Sequence, residues 1–96
     1  MSPSPVPAAP WRIRDVTVLP EYRLAVSFMD GTTGIVDCAS ILTASDPGIY
    51  APLKDPEFFG RVRLELGALT WPNGADLDPA WLYDNLRDGQ SWSIPF

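Results

Sequence analysis

Apolar and polar residues alternate along residues 22–28. The alternation places Tyr22, Leu24, Val26 and Phe28 on one face of a strand and Arg23, Ala25 and Ser27 on the other. Asp30-Gly31 follows, a pair suited to a two-residue hairpin loop because both turn positions need positive φ. Such a loop opposes Phe28 with Thr33 and Val26 with Ile35, which puts Ile35 on the apolar face. Upstream, residues 11–20 alternate with a slip of phase near Asp15: Trp11 and Ile13 hold one parity, Val16 and Val18 the other. A strand with a bulge there, turned at Pro20 and Glu21, accounts for the slip. Residues 61–71 predict a second hairpin, in which Val62, Leu64 and Leu66 alternate with Arg61, Arg63 and Glu65. A type II′ loop at Gly67-Ala68 would set Leu66 opposite Leu69 and Leu64 opposite Trp71.

Between and after the hairpins the pattern turns helical, and the helix starts are signalled by caps. Asp37 can cap a short helix over residues 38–44, and Asp46-Pro47-Gly48 fits a type II turn. Asp55 is placed as an N-cap, with Pro56 as first helical residue, Glu57 in the first turn, Gly60 as the stop, and Phe58 and Phe59 as anchors. After Trp71, Pro72 cannot donate to a ladder and Asn73-Gly74 suits a tight turn. Asp78 and Pro79 then start a helix. Leu77 and Leu82 form a hydrophobic staple, Leu82 and Leu86 face inward, and Gly89 ends the helix. The expected fold is α+β: a small antiparallel sheet from two β-hairpins, with two or three short helices packed on one face. Residues 11–89 form the single domain. Residues 1–10, with four prolines, form a disordered arm, and residues 90–96 an aromatic tail.

Composition narrows the function classes. A chain of 96 residues that is 46% hydrophobic supports one small core, rich in the four tryptophans, four phenylalanines and three tyrosines. The net charge is −5, and no run of lysine and arginine is present to neutralise phosphates. Nucleic acid is therefore not an expected partner, and Arg61 and Arg63 read as a solvated strand face. An acidic chain more naturally meets a basic protein. Histidine is absent and Cys38 stands alone, which removes Ser-His and Cys-His nucleophiles, an intrachain disulfide and a thiolate cluster. Cys38 reads as a small buried residue. The chain lacks both a secretory leader pattern and an apolar run near eighteen residues, so a cytoplasmic location without membrane contact is expected.

The densest chemistry lies in residues 71–88. A catalytic reading takes Asp76 and Asp78 as paired acid and base, with Asn73 stabilising an oxyanion; Asp-x-Asp also resembles half of a metal site. No third ligand stands at a telling spacing. The capping reading explains Leu77, Asp78, Pro79 and Leu82 together, so no catalytic residue, cofactor or metal is expected. Tyr83 reads as a packing group. Asp84 and Asp88 lie near the carboxyl end of the helix, where negative charge is unfavourable, and are candidates for contact with a partner. In the tail Trp92, Ile94 and Phe96 alternate, a pattern that must cover an apolar surface, either of their own domain or of a second copy or partner.

These segments carry a resemblance. The stretch YRLAVSFMDGTTGIVDCASIL and the later LKDPEFFGRVRLELGALTWPNGADLDPAWLY resemble the bacterial family called domain of unknown function 2442, over about residues 11–84. The most specific part is WPNGADLDPAWLY, which joins Trp71, Asn73, Gly74, Asp76, Asp78, Pro79 and Tyr83. The resemblance implies a small α+β domain with no established activity and no catalytic residues to carry over. Members are often encoded beside another small protein of unknown function, in a pair that looks like a toxin–antitoxin module. Some continue into a helix-turn-helix domain, whereas this chain stops at Phe96. The expected function is a non-catalytic protein-interaction module, the antitoxin-like member of a pair, binding a small basic partner or a second copy. The alternative is a small enzyme or metal-binding domain built on Asn73, Asp76 and Asp78.

Overall fold

The structure is a computed structural model that describes residues 9–96. The proline-rich arm assigned to residues 1–10 thus lies almost wholly outside the described residues. Strands β1 (Ile13–Leu19), β2 (Arg23–Phe28) and β3 (Thr33–Asp37) form an antiparallel meander. Two 3₁₀ helices (Ala39–Thr43 and Gly48–Lys54) and helix α1 (Pro56–Phe59) follow. Strands β4 (Arg63–Glu65), β5 (Ala68–Thr70) and β6 (Asp76–Leu77) make a separate three-stranded sheet. Helix α2 (Pro79–Asn85) then leads to β7 (Gln90–Ser93), which joins the first sheet parallel to β3. The fold is α+β, with the two hairpins in separate sheets and the short helices packed alongside. No helix among the described residues is long and apolar enough to cross a membrane.

Local chemistry accounts for most of these elements. The β1–β2 register shifts between Ile13 and Asp15, so the phase slip read near Asp15 is a bulge. Asp55 and Asp78 cap as expected: the Asp55 carboxylate accepts from the Glu57 amide at 3.0 Å and the Asp78 carboxylate from the Ala80 amide at 3.0 Å. Asp37 accepts from the Ala39 amide at 2.9 Å, but the turn it opens is 3₁₀ rather than α. Leu24, Val26, Phe28, Val36, Ile41, Leu53, Leu69, Trp71 and Leu82 fill the core between the layers. The Trp71 indole N–H donates to the Phe59 carbonyl at 3.0 Å, which satisfies two buried polar groups at once.

Both hairpin registers differ from those expected. Val26 pairs with Gly34 and Leu24 with Val36, because the loop holds three residues, Met29, Asp30 and Gly31, rather than two. Gly31 has φ +90°, the left-handed residue that closes a three-residue loop. The shift of one position turns Ile35 to the outer face and brings Val36 into the core. In the second hairpin Leu64 opposes Leu69 and Glu65 opposes Ala68, so the loop is Leu66-Gly67 instead of Gly67-Ala68. Leu66 (φ 51°) and Gly67 (φ 80°) are both left-handed, a type I′ arrangement, and Leu66 is 87% exposed rather than paired with Leu69. Two turn readings also change. Pro47 has ψ −7°, which is helical rather than type II, and begins a 3₁₀ helix. Helix α2 ends at Asn85 with Leu86 extended, so Gly89 belongs to the turn before β7 and not to the helix stop.

Candidate functional site

The stretch that drew attention in the sequence acts first as a brace. Trp71 N–H donates to the Ala75 carbonyl at 2.8 Å and Gly74 N–H to the Trp71 carbonyl at 2.9 Å, closing the turn after β5. Asn73 works at both ends of its amide: Oδ1 accepts from the Ala75 amide at 3.1 Å and Nδ2 donates to the Ile49 carbonyl at 2.9 Å. Asp78 is held by its cap, with Pro79 as first residue of α2. Asp76 is exposed, and its backbone carbonyl accepts from the Tyr50 hydroxyl at 2.6 Å. Among the described residues no group of three or more His, Cys, Asp or Glu side chains could hold a metal ion.

Tyr83 joins α2 to the first hairpin. Its ring meets Phe28 edge-on at 5.1 Å and its hydroxyl donates to the Asp30 carboxylate. That hydrogen bond, helped by the Thr32 amide, holds the Asp30 carboxyl below its ordinary range. It also holds the Tyr83 phenol above its own, because ionisation would remove the donor. Cys38 is fully buried and its thiol is pushed up to about 12, by burial first and the nearby Asp37 second.

The brace helps to set the walls of a surface groove. Tyr50, fixed by the Asp76 carbonyl, meets Phe96 edge-on at 5.3 Å. Trp81, on the outer side of α2, meets Trp92 of β7 edge-on at 4.8 Å. Tyr50, Trp81, Phe96, Pro47 and Pro95 line a groove of about 260 Å³, floored by Leu77 and Ile94 and edged by Asp46. Burial raises the Tyr50 phenol above its ordinary value, and Asp76 adds to the shift. A second depression lies on the outer face of the four-stranded sheet, lined by residues such as Thr17, Ala25, Ser27 and Ile35, with no aromatic side chain.

The residues singled out for a partner separate in the structure. Ile94 is only 2% exposed and belongs to the core; its amide donates to the Asp37 carbonyl at 2.8 Å and its carbonyl accepts from Ser40 Oγ. Trp92 and Phe96 are half-buried and pack against that core while bordering the groove region. Asp88 accepts from the Thr33 amide at 2.9 Å and so fastens the entry to β7 against β3. Asp84 is exposed, three residues after Trp81 and thus on a neighbouring position of the same helix surface. Sequence reasoning missed Pro47, Tyr50 and Trp81. The available signal was Trp81 itself, an aromatic lying off the Leu82–Leu86 stripe that a two-layer packing buries.

No curated protein and no solved structure matches this chain. The family described as "Protein of unknown function (DUF2442)" matches residues 13–88, a span that runs from the bulged first strand through both capped helices to Asp88. The chain belongs to the DUF2442 family.

Proposed function

We propose that this protein is a non-catalytic interaction module of the cytoplasm that receives a small basic protein at the aromatic groove, as the antitoxin-like member of a two-protein pair. The observation that carries the reading is the groove itself, lined by exposed Trp81 and half-buried Tyr50 and Phe96, with Asp46 at the edge. Aromatic faces attract guanidinium and ammonium groups, and adjacent carboxylates pair with them. Asp84 beside Trp81, and a chain net charge of −5, favour the same kind of partner. Trp92 and Phe96 extend the surface, whereas Ile94 supports it from beneath. Asp88 contributes by holding β7 in place.

Two of the three residues of the enzymatic alternative have side chains occupied in ways that support this reading, whereas the Asp76 carboxylate is exposed. Both polar ends of Asn73 and the carboxylate of Asp78 are engaged by backbone groups. The test is co-elution of the purified chain with the small protein encoded beside it, at low and at high salt. Binding should weaken with salt, and Trp81→Ala should weaken it by about tenfold, the effect of losing about 1.4 kcal/mol at a central aromatic contact. Absence of co-elution at low salt, or a complex indifferent to Trp81→Ala, overturns the proposal.

A further inference from the structure

We infer that the groove is a binding site for a small quaternary ammonium ion of the choline class, a trimethylammonium head on a short hydroxylated tail. The inference rests on the groove of the proposed function and not on its partner protein. A volume of about 260 Å³ falls below the ~300–1,000 Å³ of pockets that enclose drug-sized ligands, so the groove suits a small group. Its lining joins Tyr50, Trp81 and Phe96 with the Asp46 carboxylate, the one charged side chain among the described residues there. Tyr50 meets Phe96 at 60° and Trp81 meets Trp92 at 81°. An edge-on pair spends the rim of one ring, so neither pairing covers every ring face. Ring faces hold negative charge density and attract cations within ~6 Å.

Hydrogen bonding decides which cation. An arginine guanidinium brings five N–H donors and a lysine ammonium three, and each donor that leaves water without a partner is penalised. The groove has few acceptors to offer them. The Pro47 carbonyl already accepts from the Tyr50 amide at 3.1 Å, the Trp81 carbonyl from Asn85 Nδ2 at 2.9 Å, and the Ile94 carbonyl from the Phe96 amide at 3.0 Å. The Tyr50 hydroxyl spends its proton on the Asp76 carbonyl at 2.6 Å. What remains on the lining side chains is the Asp46 carboxylate and the Tyr50 oxygen. A trimethylammonium head has no N–H to satisfy, spreads its charge over apolar methyl groups, and asks for ring faces and one carboxylate. The single hydroxyl of the tail matches the acceptors that remain. Arginine and lysine of a basic partner are better served beside the groove, where Asp46 and Asp84 are exposed and water completes their hydrogen bonds.

The test titrates choline chloride into the isolated full chain, followed residue by residue in proton–nitrogen correlation spectra, with sodium chloride at matched concentration as the blank. Two comparison ligands separate charge from shape: the neutral carbon isostere, with tert-butyl in place of trimethylammonium, and protonated ethanolamine, which keeps the charge but adds N–H donors. A peptide bearing one trimethyllysine tests whether a modified partner supplies the head instead. The expected result is saturable choline binding with shifts centred on Asp46, Tyr50, Trp81 and Phe96, at least tenfold tighter than either comparison ligand. The peptide should bind more weakly than choline, because its tail brings no hydroxyl. Trp81→Leu, which keeps bulk but removes the ring, should weaken choline at least tenfold, and Trp81→Phe should restore most of the binding. Asp46→Asn, at an exposed position, should weaken choline and leave the isostere unchanged. Absence of saturable choline binding overturns the inference. So does an isostere or ethanolamine that binds equally well, shifts centred elsewhere, a tighter peptide, or indifference to both Trp81→Leu and Asp46→Asn. Choline binding without co-elution of the encoded neighbour refutes only the partner, and co-elution without choline binding refutes only the ligand.

Discussion

Leu66 occupies the first position of the β4–β5 turn in a left-handed conformation, at φ 51°, with 87% of its surface exposed. The left-handed region sets Cβ of an L-residue against the following carbonyl, at a cost of about 1–2 kcal/mol, and asparagine tolerates it best after glycine. Leu66→Asn therefore relieves most of that strain and creates Asn-Gly, the pair favoured in type I′ turns. Little is lost in exchange. Fully burying a leucine contributes about 1.5–3 kcal/mol, and this one is nearly all in water, so the lost packing is a few tenths of a kcal/mol. The expected net gain is about 1 kcal/mol, or ~4–8 °C in Tm for a domain of this size. Leu66→Val is the opposing control, because a β-branched residue fits the left-handed region worse than leucine and should lower Tm. Urea and thermal denaturation followed by circular dichroism measure both, with an unchanged m value showing that the denatured state is not the cause. If Leu66→Asn fails to raise Tm, or the two substitutions shift it in the same direction, the turn assignment is wrong.

Three further perturbations probe the brace and the core. Tyr83→Phe keeps the ring on Phe28 but removes the donor to Asp30. A carboxyl held below its ordinary 3.8 stabilises the fold above that pH and loses the effect as pH falls through its lowered value. A phenol held above its ordinary 10.0 stabilises below that pH and loses the effect as pH rises through its raised value. The difference in urea midpoint between native and Tyr83→Phe should thus be flat from about pH 5 to about pH 9 and narrow on both flanks. Asp78→Ala should destabilise by about 1 kcal/mol through the lost cap, whereas Asp76→Ala, which uses only its backbone carbonyl, should stay within about 0.5 kcal/mol in the same denaturation assay. With its thiol pushed up to about 12 and no exposed surface, Cys38 should resist alkylation at mildly alkaline pH, and its labelling rate should follow unfolding as urea is added.

What could be read directly from the chain was what neighbouring residues decide together. Asp55-Pro56 and Asp78-Pro79 cap their helices because carboxylate, proline and first-turn amides lie within three positions. The bulge near Asp15 was legible because a parity slip has one local cause. Hairpin register was not, since Asp30-Gly31 and Leu66-Gly67-Ala68 each admit loops differing by one or two residues. One residue of loop exchanged Ile35 for Val36 in the core. No local pattern specified the parallel pairing of β7 with β3, which joins residues more than fifty positions apart. Its helical and turn connections span the whole second half of the chain.

The groove belongs to that non-local class. Pro47 and Tyr50 come from a 3₁₀ segment, Trp81 from the outer side of α2, and Phe96 from the residues after β7. Phe96 was singled out by the alternation of the tail, whereas Pro47 and Tyr50 each read alone as an ordinary surface or core residue. The parallel docking of β7 brings Trp92 to Trp81 and Phe96 to Tyr50, and the Asp76 carbonyl orients the Tyr50 ring. The conspicuous acids and amide of residues 73–78 thus contribute indirectly. They are engaged in closing a turn, capping a helix and anchoring a tyrosine, and the surface they support is apolar, aromatic and adjacent. Substituting Asn73 or Asp78 would read out stability, because their side chains hold the turn and the cap. Under the proposed function, a test aimed at Trp81, whose partly exposed ring lies outside the core cluster, would read out binding.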